Sequence, residues 1–221
     1  MSRGKSTNHL SRKTRKKEKK AYFLIVVEGE TEKNYFTSLK LELEINRSIS
    51  IHLFSADGGD PLGIINEAYR LFQQNIRQSK NGKTPKFDQV FCVFDEDNKP
   101  EKYKQALTTA QQYNFTAITS IPCFEFWFLL HYCYTTSPFF NYHELCPKLE
   151  AEMRKAGILK PGKNYDKSDK SLYEKLQPNQ EIAINNAIKL ENKHPNEDGC
   201  TNPSTKVHHL VQELKNQKDF K

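Results

Sequence analysis

The acids that directly follow apolar runs are the residues best placed to do chemistry. Glu28 comes straight after residues 22–27 (YFLIVV), in Val27-Glu28-Gly29-Glu30-Thr31-Glu32. Asp95 and Asp97 follow residues 89–94 (QVFCVF), and Glu125 comes shortly after residues 115–120. Carboxylates gathered at one place repel unless a cation binds or some take up protons. Oxygen donors in that number suit Mg²⁺ or Mn²⁺. Alternate residues of an extended segment point the same way, so the Asp95-x-Asp97 spacing lets both carboxylates reach one ion. Plainer roles stay open: Asp97 as the N-cap of a following helix, and Glu30 and Glu32 as first-turn acids favoured by the helix dipole. Glu32, one helical turn after Glu28, is also placed to be a second ligand. Glu125 stands among Phe124, Phe126, Trp127 and Phe128, and a carboxylate buried there needs a partner or a metal.

Positioning these acids falls to alternating strands and helices. Residues 22–27, 49–54, 89–94 and 115–120 are short apolar runs that read as buried parallel strands. Between them, residues 30–43, 62–76 and 103–113 carry apolar positions at helical spacing. The alternation predicts an α/β fold: a doubly wound parallel sheet of about four strands with helices on both faces. Ligands of such sheets bind outside the carboxyl ends of the strands, where Glu28, Asp95, Asp97 and Glu125 fall. Beyond residue 120 the pattern predicts a buried helix over 123–134, then helices near 142–156, 179–190 and 203–216. Asn202 or Ser204 is expected to cap the last. Residues 157–175 are lysine-rich and weakly patterned. The organisation expected is a basic tail (1–20), an α/β domain (21–135) and a helical C-terminal region (136–221) packed on it.

The net charge of +7 is unevenly placed. Residues 1–20 hold nine Lys/Arg against one acid, leaving 25 basic and 26 acidic residues elsewhere. Arg12, Lys13, Arg15, Lys16 and Lys17 are therefore the first candidates for contacting the phosphates of a nucleic acid. Lys163, Lys167 and Lys206 are further candidates for that role, and with His208 they are candidate cations at the acidic site. A solvated tail is the plainer reading of the basic excess. Five scattered cysteines without C-x-x-C spacing suit a reducing cytosol and argue against a disulfide framework or a zinc site. No apolar run is long enough to span a membrane, no secretory leader is expected, and the lack of a Walker A loop argues against ATP hydrolysis by this chain alone.

The pattern Val26-Val27-Glu28-Gly29 with Val93-Phe94-Asp95-Glu96-Asp97 resembles the Toprim domain of topoisomerases, primases and OLD-type nucleases. More narrowly, the chain resembles the RloB-like proteins almost end to end. The likeness runs through Glu28-Gly29-Glu30-Thr31-Glu32 with Tyr35-Phe36, Gly59-Asp60-Pro61, Phe94-Asp95-Glu96-Asp97 and Pro122-Cys123-Phe124-Glu125-Phe126-Trp127. Toward the end it takes in Asn202-Pro203-Ser204-Thr205 and Val207-His208. Ile121 departs from the pattern, which has Asn before the proline. The resemblance implies a Toprim site in which Glu28 moves a proton or binds metal while Asp95 and Asp97 hold Mg²⁺. It also implies a role in bacterial anti-phage or abortive-infection systems beside an AAA-type ATPase. The function expected is Mg²⁺- or Mn²⁺-dependent cleavage of RNA or DNA, with catalytic Glu28, Asp95, Asp97 and Glu125 and metal ligands Glu28, Glu32, Asp95 and Asp97. The alternative is a non-catalytic module of the same system that binds nucleic acid or the ATPase.

Overall fold

The computed structural model describes residues 21–44, 49–56, 60–193 and 201–216. Four parallel strands, β1 (Ala21–Val27), β2 (Ile49–Ser55), β3 (Gln89–Asp95) and β4 (Thr116–Ile121), lie in the order β2-β1-β3-β4. A two-residue strand, β5 (Ser204–Thr205), adds antiparallel to the edge of β4. The sheet thus has five strands rather than the expected four. β1 is central and buried on both faces, which is why its sequence is continuously apolar rather than alternating.

Side-chain alternation divides the core in two. Tyr22, Leu24, Val26, Val90, Cys92 and Phe94 pack beneath α2 (Pro61–Lys80) and α3 (Pro100–Gln112). Phe23, Ile25, Val27, Phe91, Val93 and Ile118 face α1 (Glu30–Glu44), α4 (Glu125–Leu130) and the C-terminal helices α5 (Tyr142–Lys155), α6 (Leu172–Leu176), α7 (Gln180–Lys193) and α8 (Val207–Asn216). Helices therefore cover both faces, and residues of the C-terminal region share one core with the sheet. Among the described residues no helix is long and apolar enough to cross a membrane.

Two elements are shorter than the sequence predicts. The helix expected over 123–134 is regular only over Glu125–Leu130. Its first turn is tightened by bonds from the Phe126 and Trp127 amides to the Cys123 and Phe124 carbonyls, at 3.0 and 2.9 Å. At its end the His131 ring nitrogen Nδ1 donates to the Trp127 carbonyl at 3.0 Å, closing the helix with a side chain. The helix expected from residue 203 starts at Val207, because Ser204 and Thr205 are drawn to the sheet edge. A buried Ser120–Thr205 hydroxyl bond of 3.1 Å and a 2.8 Å bond from the Lys206 amide to the Thr119 carbonyl hold them there. Asn202 does not cap a helix: its side chain accepts from the Phe139 amide and donates to the Phe139 carbonyl, at 3.1 and 2.7 Å. The stretch 157–175 ends in α6, whose Leu172, Tyr173 and Leu176 enter the core.

Candidate metal centre

β1 delivers Glu28 and then Gly29, after which α1 begins at Glu30. The Glu32 carboxylate folds back over Gly29, where a Cβ would lie 2.8 Å from its Oε2. A residue without a side chain lets that carboxylate come so close. β3 delivers Asp95, which continues the alternation of Phe91 and Val93 on the α1 and α4 side of the sheet. Asp95 is tied on both sides. Its amide donates to Glu28 Oε2 at 3.2 Å, and its Oδ2 accepts from the Phe124 amide at 2.9 Å. The same turn that presents the Phe124 amide starts α4 with Glu125, only 2 % exposed.

Glu28, Glu32, Asp95 and Glu125 act on one another electrically. Burial raises the Asp95 carboxyl well above its ordinary range, and the charges of Glu32, Glu125 and Glu28 push it further. Burial likewise pushes Glu32 up to about 7, reinforced by Glu125 and Glu28. Glu28 is raised mainly by burial and by Asp97, against the Asp95 amide bond and the Lys99 charge. Glu32 Oε2 is fully buried and has no hydrogen-bond partner. A buried carboxylate oxygen without a donor calls for a proton or a cation.

One cation comes from outside the α/β motif. Lys167 Nζ lies 3.0 Å from Glu125 Oε1 and 3.7 Å from the centroid of the Tyr142 ring. It sits in the loop joining α5 to α6. Asp166 Oδ1 accepts from the Ser168 amide and hydroxyl, and Asp169 Oδ1 accepts from the same groups of Ser171. The loop's near end is pinned by Glu150 Oε1, which accepts from the Tyr165 amide at 2.8 Å. The repeat Asp166-x-Ser168, Asp169-x-Ser171 is a turn signal, and it was the one clue in this lysine-rich stretch that Lys167 is held in place. Beside it, a small recess opens between α1 and the loop, lined by Thr31, Asn34, Tyr35, Lys167 and Tyr173.

The remaining candidates lie elsewhere. Asp97 does not continue an extended strand: Asp97 and Asn98 have φ of +46° and +56°, so the chain turns at once. The physical reason is a tight turn closed by the Lys99 amide on the Glu96 carbonyl at 2.9 Å. The Asp97 carboxylate pairs with Lys99 at 3.1 Å and its side chain is 58 % exposed, so it reaches the cluster through its charge on Glu28. Nor is it the N-cap of α3: that position is Lys99. Lys163 is exposed, and its carbonyl accepts from Arg154. Lys206 and His208 face Glu191 instead of the acids. Arg12, Lys13, Arg15, Lys16 and Lys17 lie outside the described residues.

The chemistry of the donors fits a hard divalent ion. All are carboxylate oxygens, and Glu32 brings an oxygen with no other partner. Among the described residues the acids do not form a group of three with ligand atoms within 4.8 Å of one another. Mg²⁺ characteristically takes one or two carboxylates and keeps several waters, so it does not require three such ligands. Comparison with known proteins gives a match to the family described as RloB-like protein, over residues 23–214. No curated protein matches the chain, and no solved structure does.

Proposed function

We propose that this chain, which belongs to the RloB-like family, is a metal-dependent phosphodiesterase of the Toprim type, cleaving RNA or DNA. The observation that carries this reading is the Glu32 oxygen without a partner, set among carboxylates that raise one another's affinity for protons. Asp95 and Glu32, both buried, would hold Mg²⁺ or Mn²⁺ with Glu28. A bound ion would lower the pKa of a water nucleophile and offset charge on the scissile phosphate. Glu28 is only half-buried and lies above the ordinary carboxylate range, which suits a group that takes a proton from the attacking water and releases it to solvent. The bond from the Asp95 amide fixes Glu28 Oε2 for that task. Lys167 pairs with Glu125, and its half-exposed ammonium would be available to an incoming phosphate group. Family resemblance supplies the setting: an anti-phage system that includes an AAA-type ATPase partner.

The test is cleavage of labelled RNA and DNA with Mg²⁺ or Mn²⁺, with and without the partner. Glu28→Ala should reduce turnover by roughly a hundredfold or more, the scale of a lost general base. Asp95→Ala should leave no metal-dependent cleavage. Equal turnover by wild type and both variants would overturn the assignment.

A further inference from the structure

The Asn202-Pro203-Ser204-Thr205 stretch, which runs on into Val207-His208, takes no part in the acidic site. What it builds lies at the start of α8. With Thr205 bonded to Ser120 and the Lys206 amide to Thr119, the first turn of α8 is fixed against the sheet edge. That turn carries His208 and His209, and the last part of α7 brings Glu191 to meet them. His208 Nε2 is 3.1 Å from Glu191 Oε2, and His209 Nε2 is 3.0 Å from the same oxygen. The two imidazole rings lie 4.0 Å apart, centroid to centroid.

We infer that Glu191, His208 and His209 form a binding site for a transition-metal ion of the zinc class, separate from the acidic cluster. Their three ligand atoms all lie within 4.8 Å of one another, which no other His/Cys/Asp/Glu group among the described residues achieves. Donors about 2.1 Å from a tetrahedral zinc ion sit roughly 3.4 Å from each other. Both nitrogen-to-oxygen spacings are already close to that, so a small outward shift admits an ion. Two imidazole nitrogens with one carboxylate oxygen favour zinc, cobalt, nickel or copper over magnesium, which prefers oxygen alone. His208 is fully buried and so fixed in orientation, whereas the His209 side chain is 51 % exposed. The site therefore opens to solvent on one side and leaves room for a water as fourth ligand.

Lys206 sharpens this reading. Its ammonium lies on Glu191 Oε1, which His209 Nε2 also approaches at 3.2 Å, while Oε2 is the oxygen that both histidines share. It is an internal cation competing for the carboxylate, and it is free to withdraw because it is about one-third exposed. His208 Nδ1 has no hydrogen-bond partner. A metal-bound imidazole usually gains from an acceptor there, so the affinity should fall short of a structural zinc site.

The experiment is a titration of the full chain with Co²⁺ in excess Mg²⁺, followed by visible absorption and calorimetry. An Asp95→Asn background removes a ligand from the acidic cluster, so the result does not depend on the proposed nuclease site. One equivalent of Co²⁺ should give ligand-field bands without strong sulfur-to-metal charge transfer. His209→Ala and Glu191→Gln should weaken binding at least tenfold, and Lys206→Met should tighten it several-fold. His209 is exposed, so its loss is expected to leave the fold intact, as circular dichroism would verify. Binding unchanged by His209→Ala, binding weakened by Lys206→Met, or no Co²⁺ bound in excess Mg²⁺ would each overturn the assignment.

Discussion

The end of the sheet treats its acids in two opposite ways. On the α2 and α3 side, Asp60 pairs with Lys102 at 2.5 Å and Asp97 pairs with Lys99 at 3.1 Å, both in contact with water. The bond from Lys102 holds the Asp60 carboxyl below its ordinary range. On the α1 and α4 side, Glu32, Asp95 and Glu125 are buried, and Lys167 is bonded to Glu125 alone. There the carboxyls of Glu32 and Asp95 are raised. Asp95 and Asp97 stand two residues apart, yet one joins buried acids that share a single lysine while the other is a settled, exposed ion pair. The difference is burial with too few donors, down to a Glu32 oxygen that has none, and it locates the demand for a cation more sharply than the presence of acids does.

The strongest way to break this contrast is Asp95→Asn. Loss of a metal ligand should abolish cleavage, by roughly a thousandfold or more, the scale of a lost metal contribution. The same change removes a buried charge from a repelling group, so metal-free protein should melt higher while Mg²⁺ no longer raises its melting temperature. Asp95→Asn that melts lower than wild type without metal would mean the acids do not repel. Next comes Lys167→Met, which strips Glu125 of its ion-pair partner. Cleavage should fall by roughly tenfold, with a smaller loss of stability because Lys167 is half exposed. An unchanged rate would remove Lys167 from the site.

The pH dependence should separate the two sides by sign. Glu32 binds its proton up to about 7 when folded and near 4.5 when unfolded. Between those values the native state holds more protons than the unfolded state, so metal-free stability falls as pH rises. Thermal melts without metal should drop by roughly 5 °C from pH 5 to pH 8, and Mg²⁺ should flatten that slope. Asp60, with its lowered carboxyl, contributes in the opposite sense, with stability lost as pH falls through its folded value. A metal-free melting temperature that rises from pH 5 to pH 8 would refute the buried repulsion. The smallest effect is Asp60→Ala, which removes the N-cap bond to the Leu62 amide and should cost about 1 kcal/mol with little change in cleavage.

Much of the α/β frame could be read from the residues. The continuous apolar runs of β1 and β3 announced buried parallel strands, and the helical spacing of Ile64, Ile65, Ala68 and Leu71 announced α2. β5 was invisible because two residues with hydroxyl side chains carry no periodic signal, and their pairing depends on an edge left open far away in sequence. The site was legible one acid at a time. Glu28 and Asp95 stand at strand ends as expected of the fold, and Glu125 lies amid aromatic residues that foretold burial. What the sequence withheld was conformation. Asp97 leaves the extended path through a left-handed turn, which no alternation rule anticipates, and Glu32, though in the first turn of α1, is buried with one oxygen lacking any partner rather than solvated. Lys167 reaches Glu125 across 42 positions of chain, a distance over which local patterns say nothing.

The double tethering of Asp95 has a consequence for how the protein tolerates change. Its amide answers to Glu28 on one neighbouring strand, and its carboxylate answers to the backbone that follows another. The register of β3 against β1 and β4 is therefore itself a working part of the site. A slip of one residue would present Phe94 or Glu96 in its place and turn every side chain of the strand to the wrong face. Length changes in the exposed turn at residues 81–83, before the segment that the buried Asn75 side chain clamps, should cost little, whereas a single residue inserted within β3 should abolish activity and lower stability sharply. The exposed turn that approaches this site has slack in its length, but the strand that ends in Asp95 must keep its count.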